Sequence, residues 1–186
     1  AQRIYTFKVR AHYRENLWRR VEVQGALHLA ALNRYLVRLF NHDSEHMASF
    51  SKLVRRGGKR RREVEVAVID PFGLGPGSEM RIADLDLVEG DMLKWLFDFG
   101  DNYEYTLQLE ATAEPSSADS TKSPRVTGAN EPELLYCNEC QAKGKQVVAK
   151  WHCWNCSDRH DTLYMLCDAC SEKSKHEEHY QVEWVY

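Results

Sequence analysis

The last fifty residues of the chain limit its possible structures more than any other stretch. They hold all six cysteines, as Cys137-x-x-Cys140, Cys153-x-x-Cys156 and Cys167-x-x-Cys170, followed by His176-x-x-His179. A Cys-x-x-Cys turn is tight enough to put both thiolates on one ion, and four two-ligand units make two four-coordinate sites. Thiolate and imidazole together favour Zn²⁺ over a hard cation. An even cysteine count also permits disulfides. Three like knuckles beside a histidine pair favour metal instead, and two Zn²⁺ ions are expected. The opening Ala1-Gln2-Arg3-Ile4-Tyr5 alternates like a strand and lacks the pattern of a signal peptide. A reducing, intracellular setting is therefore expected, cytoplasmic or nuclear, in which thiolates persist as ligands. So short a segment has little apolar surface for a core, so metal affinity becomes folding free energy. Trp151, Trp154, Leu163, Leu166 and Trp184 are available to fill the remaining space. His152 and His160 read as supporting or surface residues, not ligands.

The first 110 residues read as an α+β domain. Ile4–Ala11 alternates, with Tyr5, Phe7, Val9 and Ala11 on one face. Trp18 to Val23 reads as a second strand. Beyond Gly25, Leu29, Leu32, Leu36 and Phe40 recur at helical spacing, with Leu39 beside them, and Asn41-His42-Asp43-Ser44 ends the helix. Ser49–Val54 reads as a short strand and Glu63–Ile69 as another, with Val64, Val66 and Val68 inward. A short helix is expected over Asp84–Leu93. Leu93, Trp95 and Phe97, then Gly100-Asp101-Asn102, then Tyr103, Tyr105, Leu107 and Leu109 describe a hairpin. Residues 111–124, rich in Ala, Ser, Thr and Pro, read as a linker or long loop. The expected architecture is a mixed or antiparallel sheet with packed helices over residues 1–133, followed by a small zinc-binding part over residues 134–186.

Composition excludes some functions. No stretch approaches eighteen consecutive apolar residues, so no membrane helix is expected. A formal net charge of -3 does not suit a general nucleic-acid binder. Charge is uneven, however. Residues 52–62 hold seven basic side chains and no acidic one. Within this run Arg55, Arg56, Lys59, Arg60, Arg61 and Arg62 form a candidate nucleic-acid or nuclear-import patch, or simply a solvated hairpin tip. Asp98 and Asp101 are either a carboxylate pair for a ligand or turn residues that accept backbone N–H bonds. With Arg19 and Arg20 they are the sole candidates for acid–base chemistry. His28, His42 and His46 are too scattered to form a metal site.

Four segments carry a resemblance. These are Ile4-Tyr5-Thr6-Phe7-Lys8-Val9, Leu17-Trp18-Arg19-Arg20-Val21, Phe97-Asp98-Phe99-Gly100-Asp101-Asn102-Tyr103 and Pro124–Glu133, which includes Gly128 and Pro132-Glu133. In order and spacing, residues 3–133 resemble the plasmid pRiA4b ORF-3-like domain. That resemblance implies an α+β fold. In the tail, Leu166-Cys167-Asp168-Ala169-Cys170 and His176-Glu177-Glu178-His179-Tyr180 make residues 136–185 resemble a ZZ-type zinc finger; the B-box is the nearest competitor. The ZZ resemblance implies cross-bracing: Cys137, Cys140, Cys167 and Cys170 on one ion, and Cys153, Cys156, His176 and His179 on the other. It also implies recognition of protein tails through acidic residues. Here Asn138, Leu163 and Met165 replace the usual acids, so Asp158, Asp161 and Glu139 stand as substitutes, with Trp154 as the apolar contact. The expected function is a non-enzymatic interaction module for a protein or peptide partner, basic or amphipathic in character. Nucleic-acid association and an enzyme on the first domain are the alternatives.

Overall fold

In the computed structural model, which describes residues 3–55, 61–115 and 123–185, the alternating runs pair into one antiparallel sheet. Its strands are β1 (Ile4–Ala11), β2 (Trp18–Gln24), β3 (Ala48–Arg55), β4 (Arg61–Ile69), β5 (Met92–Phe97), β6 (Tyr103–Ala113) and β7 (Arg125–Ala129), in the order β4-β3-β5-β6-β1-β2-β7. One face of each central strand carries the core. Phe7, Val9, Val21, Val23, Phe50, Leu93, Trp95, Tyr105, Leu107 and Leu109 are buried. The single helix among the described residues of this part is α1 (Leu29–Leu39), which buries Leu29, Leu32, Leu36 and Val37. Leu39, read as part of that stripe, is half-exposed.

Each end of α1 is closed by backbone. His28 gives no side-chain cap at the start. Instead, the amides of Leu29 and Ala30 donate to the carbonyls of Met80 and Ser78 at 2.9 and 3.0 Å, which satisfies donors that an uncapped helix leaves orphaned. At the far end Asn41 takes φ 53°, and the amides of Asn41 and His42 reach back to the carbonyls of Arg38 and Val37. That is the paired C-terminal closure in which Asn substitutes for Gly.

Three expectations are corrected. In β4, Val64 is 40% exposed, while Ala67 and Ile69 are the buried residues. The register steps from Phe50 opposite Ala67 to Ser51 opposite Glu65, a bulge that sets Val64 opposite Lys52 and so on the face of Ala67, apart from Val66 and Val68. The helix expected over Asp84–Leu93 is a single 3₁₀ turn, Ile82–Leu85, and its last residues belong to β5. The segment 111–124 is not wholly loop, because β6 runs to Ala113; residues 116–122 lie outside the described residues.

The chain divides into two compact units, Ala1–Asn130 and Glu131–Tyr186. The second contains α2 (Asn138–Gln141), β8 (Trp151–Cys153), α3 (Trp154–His160), β9 (Met165–Leu166), α4 (Asp168–Ser171) and β10 (Gln181–Glu183). Its sheet runs β10-β8-β9. Its core is small: Ala149, Met165 and Leu166 are buried with five of the cysteines, and Leu135, Trp151, Tyr164 and Trp184 pack against them. No helix among the described residues is long and apolar enough to cross a membrane.

Candidate metal centre

Short helices position the cysteines. Cys137, Cys153 and Cys167 are each the extended residue just before α2, α3 or α4. The second cysteine of each pair lies three residues on, one turn into the helix, so both sulfurs face one side. His176 ends a 3₁₀ turn, Ser174–His176, and His179 follows three residues on. The fold gathers these residues into two groups of four that could hold metal ions. Cys137, Cys140, Cys167 and Cys170 form one group, and Cys153, Cys156, His176 and His179 the other; in each, the donor atoms lie within 4.8 Å of one another. The groups interleave along the chain, first pair with third and second with fourth.

The spacing of the donors fits zinc. Cys140 Sγ lies 3.9 Å from Cys167 Sγ and 3.8 Å from Cys170 Sγ. A tetrahedron built on zinc–sulfur bonds of about 2.3 Å has edges of about 3.8 Å. In the second group, sulfur to Nδ1 distances are 3.3 to 3.5 Å and the two Nδ1 atoms are 3.2 Å apart. Zinc–nitrogen bonds of about 2.0–2.1 Å would make those edges about 3.6 and 3.3 Å. None of the cysteines is in a disulfide. Desolvation and the neighbouring sulfurs push the Cys140 thiol up to about 12 and the Cys156 thiol up to about 11. Crowded thiols of this kind ionise together only around a cation, which a bound divalent ion supplies. Each group offers four protein donors, so neither leaves a coordination position open for a substrate.

Glu139 ties the two groups together. Expected as a peptide contact, it is instead buried, at 6% exposure. Its carboxylate accepts from His176 Nε2 at 2.7 Å and from Lys173 Nζ at 2.6 Å, and it also pairs with Lys175. Burial pushes this carboxyl up, but the two ammonium groups and the imidazole outweigh that and hold it well below the ordinary carboxylate range. Its bond to Nε2 leaves His176 Nδ1 facing the cysteines, as a carboxylate behind a ligating histidine does. Lys173 Nζ also donates to Cys170 Sγ at 3.1 Å. A continuous path thus runs from Cys170 through Lys173 and Glu139 to His176. These partners lie 34 and 37 residues apart, so spacing alone could not have paired them.

The remaining candidates are scattered. Trp154 is 42% exposed, and Asp158 follows it at i+4 on α3, so both lie on one side of that helix. Asp161 ends α3 at φ 49° and is exposed, like Asp158. Leu163 is exposed too, whereas Met165 is buried. Asn138 Oδ1 accepts from the Met165 amide and has a structural task. His152 is buried and bonded to Ser157 Oγ, and His160 stacks on Tyr164; neither belongs to a donor group.

In the first unit, Arg62 is exposed beyond the β3–β4 tip, at which Arg55 pairs with Arg61. Arg56, Lys59 and Arg60, and the side chains of Arg55 and Arg61, lie outside the described residues. Asp98 Oδ1 accepts from the Gly100 and Asp101 amides, so it is a turn residue. Arg20 pairs with Glu110 at 2.6 Å and Arg19 donates to Asn130 Oδ1 at 2.6 Å. Arg19 and Arg20 are therefore engaged with other residues, and Asp98 and Asp101 meet only through the backbone of their turn. Reading the sequence missed His42. It packs against Phe97 and Tyr103, and its Nε2 lies 2.5 Å from the Tyr105 hydroxyl, which is 2.9 Å from the Tyr13 hydroxyl. Burial pulls its pKa down to about 4.

No curated protein matches the chain. Among solved structures it is similar to a protein of unknown function from Methanosarcina mazei Go1, with 18% identity, a TM-score of 0.54, and coverage of 71% of this chain and 73% of that one. That likeness supports the fold alone. The family model described as plasmid pRiA4b ORF-3-like protein matches residues 3–133 and stops ahead of the first cysteine pair. With that match covering most of its length, the chain belongs to the plasmid pRiA4b ORF-3-like family.

Proposed function

We propose that the second unit is a cross-braced finger of the ZZ type that holds two Zn²⁺ ions and serves protein or peptide recognition, not catalysis. The observation that carries this reading is the pair of interleaved donor sets, each with the edge lengths of a zinc tetrahedron. Cys137, Cys140, Cys167 and Cys170 would hold one ion, and Cys153, Cys156, His176 and His179 the other. Four protein donors close each site, which is the arrangement of structural zinc; a catalytic zinc keeps a position for water. The metal's contribution is folding free energy and a rigid surface.

The partner is a cationic or amphipathic peptide. Residues 134–186 hold eight acidic and six basic side chains. The four-cysteine site adds a formal charge of -2 once its metal is bound, and the mixed site is neutral. Attraction therefore favours tails bearing Lys or Arg. Trp154, Asp158 and Asp161 are the exposed contacts available for this; Glu139 is not. Elemental analysis and native mass spectrometry of the full chain should find two zinc ions, and one or none overturns the two-site reading. A peptide array should then show weak binding of basic sequences that is lost in Asp158→Asn/Asp161→Asn. A preference for acidic peptides, or binding indifferent to both substitutions, rejects this face of the unit.

A further inference from the structure

A cleft of about 230 Å³ in the first unit lies between α1 and the loop after β4, with Phe97 and Pro71 among its lining. It is smaller than sites for drug-sized ligands, which run to about 300–1,000 Å³, so any occupant is small. Three donors line it without an acceptor among the described residues to meet them.

The first is Asn33, buried at 6% exposure. Its Oδ1 accepts from Trp95 Nε1 at 2.9 Å. An indole nitrogen only donates, so this bond fixes which way the amide faces. The NH₂ is left over, and among the described residues it makes no hydrogen bond. The other two are Arg34 and Arg38, one helical turn apart on α1 and both exposed. Among the described residues neither is paired with a carboxylate. Gly73 makes room for Arg34: it takes φ +83°, and a Cβ there would come within 3.3 Å of the guanidinium.

The acidic groups nearby limit the charge of the occupant. Asp70 also lines the cleft, its Oδ1 held by the amides of Phe72 and Leu74. His46 faces the carboxylates of Asp98 and Asp43 at 3.4 and 3.7 Å. Among the side chains that line the cleft, two guanidinium charges stand against the one carboxylate of Asp70; with Asp98 and Asp43 turned to His46, the site has at most about one positive charge to be met. We propose that this cleft binds a small organic monocarboxylate. Arg34 and Arg38 pair with the carboxylate, the Asn33 amide supplies a buried hydrogen bond, and Val37, Pro71 and Phe97 contact the apolar body. A planar guanidinium matches a carboxylate in two parallel bonds, which gives such a site its orientation.

The test uses the full chain and three probes of similar shape: benzoate, neutral benzamide and dianionic phenyl phosphate. Benzoate should shift the Asn33 side-chain NH₂ and the Arg34 and Arg38 Nε–H signals in a saturable way, with millimolar affinity. Benzamide should leave them unmoved, and phenyl phosphate should bind more weakly than benzoate. Arg34→Ala/Arg38→Ala, at exposed helix positions where Ala is well tolerated, should weaken benzoate about tenfold or more with the melting temperature unchanged. Equal shifts with benzamide, tighter binding of phenyl phosphate, benzoate binding that survives the double variant, or no saturable shift at all would each overturn the assignment.

Discussion

Glu139 shows how much one buried side chain can control. A carboxylate behind a ligating histidine sets the ring's tautomer, and its loss typically weakens metal affinity about 10–100-fold. If that group holds an ion, Glu139→Gln should therefore release it from Cys153, Cys156, His176 and His179 first. Cobalt-substituted protein can follow the two sites separately, because a four-thiolate and a two-thiolate site absorb differently. Retention of both ions at wild-type affinity would reduce Glu139 to a surface-like ion pair. His42 makes a second residue-level prediction, this time in pH. Its pKa falls from an ordinary 6.5 to about 4 in the folded state, so between those values the unfolded chain binds more protons. Stability is then full above about pH 6.5 and lost as pH falls towards 4. The loss is on the order of 2–3 kcal/mol. Unfolding of the first unit, read from its own NMR signals at pH 7 and pH 4.5, should show this slope, and His42→Phe should flatten it. A slope unchanged in that variant would assign it to other groups.

At the level of elements, the loop after β4 does more than connect. Its Pro76 carbonyl accepts from the Val68 amide, so the loop lies along the outer edge of β4 and covers part of it. Close approach demands glycine here. A Cβ on Gly77, at φ +75°, would fall 2.1 Å from the Val66 carbonyl oxygen. Gly90 also has positive φ, at +91°, yet nothing lies within 4 Å of the Cβ it would carry. Gly77→Ala should thus cost more than about 3 kcal/mol, whereas Gly90→Ala should cost only the backbone term of about 1–3 kcal/mol. Urea unfolding of the two variants compares them directly, and equal losses would mean that the loop shifts freely from the strand. The same loop supplies the carbonyls that close the start of α1, so its displacement should also fray that helix.

For the whole molecule, the two units differ in what holds them. The first has a core of large apolar side chains on a seven-stranded sheet. In the second, five of the eight buried core residues are cysteines, all of them candidate ligands. Without metal those thiols are small weakly interacting groups, and Ala149, Met165 and Leu166 are too few to replace the bonds a metal would supply. Removing metal with a strong chelator, or Cys153→Ala, should unfold residues 131–186 and leave the signals of residues 3–113 almost unmoved. General collapse of the first unit's spectrum would show that the two units fold as one.

The sequence by itself determined the features that depend on local spacing. The period of two in β1, β5 and β6, the helical stripe of α1 and the eight donors in four pairs are all set by chemistry within a few residues. Tertiary structure decided what depends on partners distant in sequence. The bulge in β4 depends on its pairing with β3, and it splits the expected common face of Val64, Val66 and Val68. Residues 125–129 carry no strong alternation, and only pairing with β2 makes them a strand. Glu139 has the composition of a solvated surface residue, yet Lys173, Lys175 and His176 converge on it and pay for its burial. Desolvation is a property of the surroundings, and the surroundings of a side chain are settled only when the chain has closed on itself.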